Sequence, residues 1–370
     1  MKIYSRFMFF VLISVILSVS QVLPSKAQDS FDRQAMLENL VTNVILPDYQ
    51  TFVDVAEDLE AVTATFSEDP SIDNLLVVQE AWRETSNAWE EVAFYGIGLK
   101  LMSLHNQVDK RPVNIDLINR LLDNADVIDE SFVEIIGSTQ KGLPAIEYFI
   151  FNGEGDNQAV LDNFSDNPNY LDFVVALAQY LPTTGENILL FWSPEGDNFA
   201  EEFISASQSG GDSQGSINIL VNEMFASFEM ILQMQLGEPA GITNGGTAQP
   251  DLVDAPLSGH SLARIKHTLI GLQRLFTGGA DDAIGFDDYL DFLGADYGEQ
   301  SLASYINEQF DASISAIQAI DAPLQDAVIN QAETIQTLYD TIRMTFVAIR
   351  VDMASHLSIL VTFSDADGDG

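Results

Sequence analysis

An all-α fold is predicted by three observations: apolar residues recur at helical spacing from one end of the chain to the other, strand-like alternation is scarce, and loop signals separate the periodic runs. Leu37, Leu40, Val41, Val44 and Ile45 fall on one helical stripe, and Phe52, Val55, Ala56, Leu59, Val62 and Phe66 on a second. Near the other end, Ile335, Leu338, Tyr339, Ile342 and Phe346 repeat the pattern. Hydrophobic residues make up 46% of the 370-residue chain, enough apolar surface for sizeable cores and too much for a disordered acidic protein.

The first segment carries a location signal. Lys2 and Arg6 form a basic n-region, Phe7 to Val19 an apolar h-region, and Ser25-Lys26-Ala27 a cleavage site, so residues 1–27 are expected to be a secretory signal peptide and Gln28 the mature N-terminus. An uncleaved anchor helix is the alternative, but the run is shorter than the roughly 20 apolar residues a membrane span needs. No second run of that kind follows, so no integral membrane span is expected after cleavage. The expected location is the periplasm or cell envelope, and 0 Cys excludes both a lipidated cysteine and a disulfide.

Along the mature chain, Asp69-Pro70-Ser71 reads as an N-cap with proline in the first turn of a helix carrying Trp82 and Trp89. Residues 152–157, 208–215 and 237–250 are rich in Gly, Ser, Asn, Asp and Thr and read as loops. The length suggests two helical domains, 28–195 and 196–370. Trp82 and Trp89, seven apart, fit a core stripe.

Charge restricts the partners. Lys+Arg 15 against Asp+Glu 56 gives a formal charge of -41, a field that repels phosphates and attracts cations and basic ligands. Nucleic acid is therefore not an expected partner. The same composition also serves solubility in a salty medium.

Several segments carry a family resemblance. Lys141-Gly142-Leu143-Pro144-Ala145-Ile146-Glu147-Tyr148-Phe149-Ile150-Phe151 resembles the signature of the imelysin family, whose common form has a glycine, a histidine two residues on and a glutamate three after that. Ser258 to Gly279 is similar to the family's second-half segment, as is 363–369 at the end of the chain, while Trp82, Arg83, Trp89 and Asp109-Lys110-Arg111 fit its first-half pattern. The resemblance implies two helical bundles packed side by side with a functional site in the groove between them. It leaves two functional classes open, because the family is named after an insulin-cleaving membrane peptidase and other relatives are linked to iron uptake in the bacterial envelope.

The residues weigh against peptidase chemistry. A zinc peptidase commonly uses two histidines one helical turn apart with a glutamate base beside them. His105, His260, His267 and His356 form no such pair, and Pro144 stands where the family has its motif histidine. There is no Cys nucleophile, and the Gly-x-Ser-x-Gly string Gly211-Asp212-Ser213-Gln214-Gly215 lies in the Gly/Ser-rich 208–215 run rather than at the strand-to-helix turn that a nucleophile elbow needs. Glu147 remains as a candidate oxygen ligand for iron or another divalent cation, with Glu90, Asp109 and His105 as candidate co-ligands. Its alternative role is to offset the positive end of a helix dipole. Arg83 and Glu90, seven apart, are expected to pair with each other or with Glu147. His260 and His267 share that spacing and are candidates to face the groove or to cap helices. Asp365-Ala366-Asp367-Gly368-Asp369-Gly370 imitates the start of a calcium loop but ends before the glutamate at the twelfth position.

Three readings stand apart. The leading one is a metal- or substrate-binding envelope protein linked to iron uptake, presenting an ion or complex to a transporter. The second is a metallopeptidase, and the third a module holding a peptide or partner protein in its groove. They divide on whether Glu147 meets at least two further oxygen or imidazole ligands.

Overall fold

A computed structural model describes residues 30–153, 155–205, 215–280 and 282–361. The segment 1–27 expected to be a signal peptide, most of the expected 208–215 loop and the acidic 365–370 end lie outside the described residues. The first half consists of α1 (Arg33–Leu40), α2 (Leu46–Glu68), α3 (Ile72–Glu90), α4 (Gly98–Val108), α5 (Ile115–Leu122), α6 (Glu130–Ile135), α7 (Leu143–Phe151), α8 (Asn157–Asp166), α9 (Pro168–Trp192) and α10 (Phe199–Ser205). The second half consists of α11 (Ser216–Met230), α12 (Ser261–Thr277), α13 (Phe286–Leu293), α14 (Leu302–Gln318), α15 (Leu324–Asn330), α16 (Ala332–Val347) and α17 (Ala354–His356). A two-residue antiparallel ladder, Asp296–Tyr297 with Gln300–Ser301, is the sheet content among the described residues. The all-α expectation holds.

Periodicity found the core. Leu37, Leu40, Val41, Val44 and Ile45 are all buried, as are Phe52, Ala56, Leu59 and Phe66, while Val55 and Val62 lie at the edge of their stripe. The backbone passes from α1 into α2 through π turns at Val41–Ile45, which keeps the two stripes on one continuous rod. The start of α3 differs from expectation by two residues: Ser71, not Asp69, is the N-cap and its hydroxyl accepts from the Asn74 N–H, so Pro70 precedes the cap.

In the first half, α2 packs along both α3 and α9; in the second, α14 packs on α12 and α16. α10 packs on α1 and α9, so the first group of contacts continues to Ser205. The bundles meet where α12 crosses α3, and Gly271 sets how closely they approach: a Cβ there would lie 2.4 Å from the Glu91 carbonyl oxygen. From Asp32 onward the chain forms one compact unit, with the bundles side by side and a groove between them.

Candidate functional site

The signature segment is held by its glycine. Gly142 adopts φ 77, and a Cβ on it would fall 2.1 Å from the Val108 carbonyl oxygen, so only glycine lets the start of α7 press against the end of α4. Pro144 then occupies the first turn of α7, where no intrahelical N–H bond is lost. Glu147 follows one turn later with 2% exposure.

Glu147 is fully engaged. Its Oε2 accepts from Arg111 Nη1 at 2.8 Å, and its Oε1 accepts from the Ser258 N–H at 3.2 Å and the Ser258 hydroxyl at 2.7 Å. Arg111 also donates to the Asp254 carbonyl oxygen at 2.5 Å and lies 3.3 Å from Asp109. The chain of charge continues into the second bundle. Arg264, from α12, reaches Asp109 at 2.6 Å, Glu90 at 2.9 Å and Asp254 at 3.1 Å, while the Thr268 hydroxyl donates to Glu90 at 3.0 Å. Four carboxylates thus share two guanidinium groups across the bundle interface.

Burial and charge pull these groups in different directions. Burial pushes the Glu90 carboxyl up to about 7; Arg264 opposes the shift, while Asp109 and Asp254 add to it. Burial also pushes Asp109 up, but Arg111 and Arg264 together outweigh it and hold this carboxyl below its ordinary range. Arg264 is raised well above its ordinary value, because its three carboxylates outweigh its own burial.

The remaining candidates lie elsewhere. Arg83 pairs with Glu80 at 3.2 Å and sits over the Phe151 ring, so the expected contacts with Glu90 or Glu147 are not among its ion pairs. His105 is buried in the first bundle: its Nε2 is 2.7 Å from the Tyr49 hydroxyl and its Nδ1 3.1 Å from the Ala93 carbonyl oxygen. Burial lowers its pKa to about 4, so it is a neutral core histidine. His260 and His267 bridge the bundles, at 2.8 Å from Asn87 and 2.8 Å from Glu91 respectively. Arg111, Asp254, Ser258 and Arg264 carry much of the cluster and were not among the candidates. Arg264 had one sequence signal, a cation on the face of Ser261, Thr268, Gly271 and Leu275, bordering the apolar stripe of Leu262, Ile265, Leu269 and Leu272.

A cleft of about 860 Å³ opens on this cluster. Its walls are largely apolar, with Trp89, Phe94, Met230, Met234, Leu252 and Leu257 among them, and Pro144, Glu147, Asp109 and Glu90 line it too. The arrangement does not fit a resident metal held by side chains. Among the described residues, no three His, Asp or Glu side chains stand together as a ligand set, and the carboxylates on the cleft are committed to arginines. Glu147 meets donors, not co-ligands.

Comparison with known proteins agrees with the architecture. Iron-regulated protein A of Synechococcus elongatus is 22% identical over 294 residues, 78% of this chain and 76% of its own length. A crystal structure from Parabacteroides distasonis, provisionally named an iron-regulated protein A precursor, superposes with a TM-score of 0.73 at 18% identity, covering 90% of this chain and 97% of that one. An imelysin-like protein from Psychrobacter arcticum gives a TM-score of 0.72 at 17% identity with the same coverage. The family model described as Imelysin (Peptidase M75) matches residues 45–345, and the chain belongs to the imelysin family.

Proposed function

We propose that this chain is an exported, iron-linked binding protein of the periplasm or cell envelope, whose interbundle cleft takes an organic iron chelate and presents it to a transporter. The carrying observation is the cleft itself, a space of about 860 Å³ with a largely apolar wall over a floor where carboxylates pair with guanidinium groups. Such a volume and lining suit a small organic molecule. A bare cation needs several oxygens or imidazoles free to converge on it, and here the carboxylates face guanidinium groups. The iron link draws on the similarity to iron-regulated protein A, and export draws on the leader-like first 27 residues. Peptidase chemistry finds no support in the site, since Pro144 offers no ligand and no base stands beside a metal-ligand set among the described residues.

Equilibrium dialysis tests this reading. The purified mature chain is expected to retain an intact ferric chelate, a trihydroxamate or a citrate complex, at one per chain, with quenching of Trp89 on the cleft wall. Ferrous iron or zinc alone is expected to dialyse away. One bare ion retained per chain, and lost in Glu147→Gln, would overturn it.

A further inference from the structure

The charge of the cleft has a sign, and the sign selects a ligand. Six carboxylates and three cationic side chains line it, so the excess is negative even though every guanidinium on the floor is paired. The surplus shows as acceptors with no donor. Asp254 Oδ2 accepts from Arg264 and from the Gln235 amide, yet Asp254 Oδ1 and Gln235 Oε1 are buried without a hydrogen-bond partner. Glu90 Oε1 likewise has no hydrogen bond, its 2.9 Å contact with Arg264 being one of charge alone. A buried acceptor deprived of a donor costs free energy that an N–H from a ligand recovers.

The opposite choice, an anion on Arg111, is disfavoured by the same geometry. Arg111 Nη2 and Nε have no hydrogen-bond partner, but Glu147 lies 2.8 Å and Asp109 3.3 Å from the same guanidinium, so an incoming anion meets two carboxylates along with those N–H groups. The wall beside Gln235 is apolar and adaptable: Met230 and Met234 are each about half exposed and line the cleft.

We propose that the cleft selects a cationic ligand, a protonated primary amine on an apolar body, with the ammonium against Asp254 and Gln235 and the body against Met230 and Met234. This rests on reading the cleft as an iron-chelate site. It makes the favoured chelate a hydroxamate bearing a free ammonium and disfavours an anionic carboxylate chelate.

Titration calorimetry on the mature chain separates the two claims, using ferrioxamine B with its free ammonium, its neutral N-acetyl derivative, ferric citrate and iron-free hexylamine. Ferrioxamine B is expected to bind at least tenfold more tightly than the N-acetyl derivative, about 1.4 kcal/mol, and more tightly than ferric citrate. Its affinity is expected to fall as salt is raised. Asp254→Asn, which keeps shape and removes charge, is expected to erase the preference while a thermal melt confirms that the variant is folded. Equal binding of ferrioxamine B and its N-acetyl derivative, or a preference for ferric citrate, overturns the cation inference and leaves the chelate reading standing. Binding of hexylamine with no chelate binding does the reverse, a cation site without an iron chelate. No binding by any of the four overturns both.

Discussion

Removing the Glu147 carboxylate tests whether the signature segment is a structural joint of the bundle interface. Glu147→Ala deletes three hydrogen bonds at once, those from Arg111 and from the Ser258 amide and hydroxyl, and leaves a guanidinium whose side chain is 17% exposed. Breaking a buried pair on one side costs about 3 to 5 kcal/mol. Asp109 and the Asp254 carbonyl oxygen still face Arg111, so the lower end applies, about 3 kcal/mol or roughly 4 °C in melting temperature for a chain of this length. Arg83→Ala is the matched control. It removes a surface pair with Glu80 and the contact over the Phe151 ring, and is expected to cost about 1 kcal/mol. Urea unfolding of Glu147→Ala, Arg111→Ala and the double variant should return a coupling of roughly 2 kcal/mol, because either single change strands the partner. If Glu147→Ala behaved like Arg83→Ala, or if the two changes simply added, the reasoning would be refuted.

Three other outcomes follow from the same contacts. The Glu90 carboxyl sits near 7, above its ordinary 4.5, so the folded state binds its proton more tightly than the unfolded chain does. Its contribution to stability is full below the unfolded value and is lost as pH rises through about 7; melting curves between about pH 5 and 8 should show wild type losing stability relative to Glu90→Gln. Gly142→Ala forces a Cβ into the Val108 carbonyl at positive φ and is expected to cost roughly 2 to 4 kcal/mol in urea titrations, whereas substitution at Gly155, with open space around its Cβ, is expected to cost only about 1 kcal/mol of strain. Pro144→His restores the family's imidazole on the cleft, but with Glu147 held by Arg111 and Ser258 it is expected to create no stoichiometric zinc or iron binding by calorimetry; tight binding would show that the carboxylate is free to turn.

The helical layout was legible because helix periodicity is local: the stripes at Leu37–Ile45, Phe52–Phe66 and Ile335–Phe346 depend on neighbours a few residues away. The site is not local. Arg83 looked like a partner for Glu90 from spacing along one helix, yet Glu90 meets Arg264 from the other bundle, and Glu147 meets an arginine 36 positions earlier. Nothing in periodicity states which helix crosses which. Arg264 did leave a trace, since a cation bordering an apolar stripe, in a chain with only 15 Lys+Arg, needs a carboxylate partner if it is buried. His105 left one of the opposite kind. It shares its face with Leu101 and Val108, at core spacing, and the structure buries it beside Tyr49, away from Glu147's ion pairs.

The most direct measurement is an anomalous diffraction map at the iron edge, from crystals of the mature chain grown with ferrioxamine B. The expected result is one iron peak in the interbundle cleft, wrapped by its chelator, with no protein nitrogen or oxygen within about 2.5 Å of it. The ligand's amine would lie within hydrogen-bond distance of Asp254. An iron peak bonded directly to Glu147 and to Glu90 or Asp109, with the arginines swung away, would contradict the account.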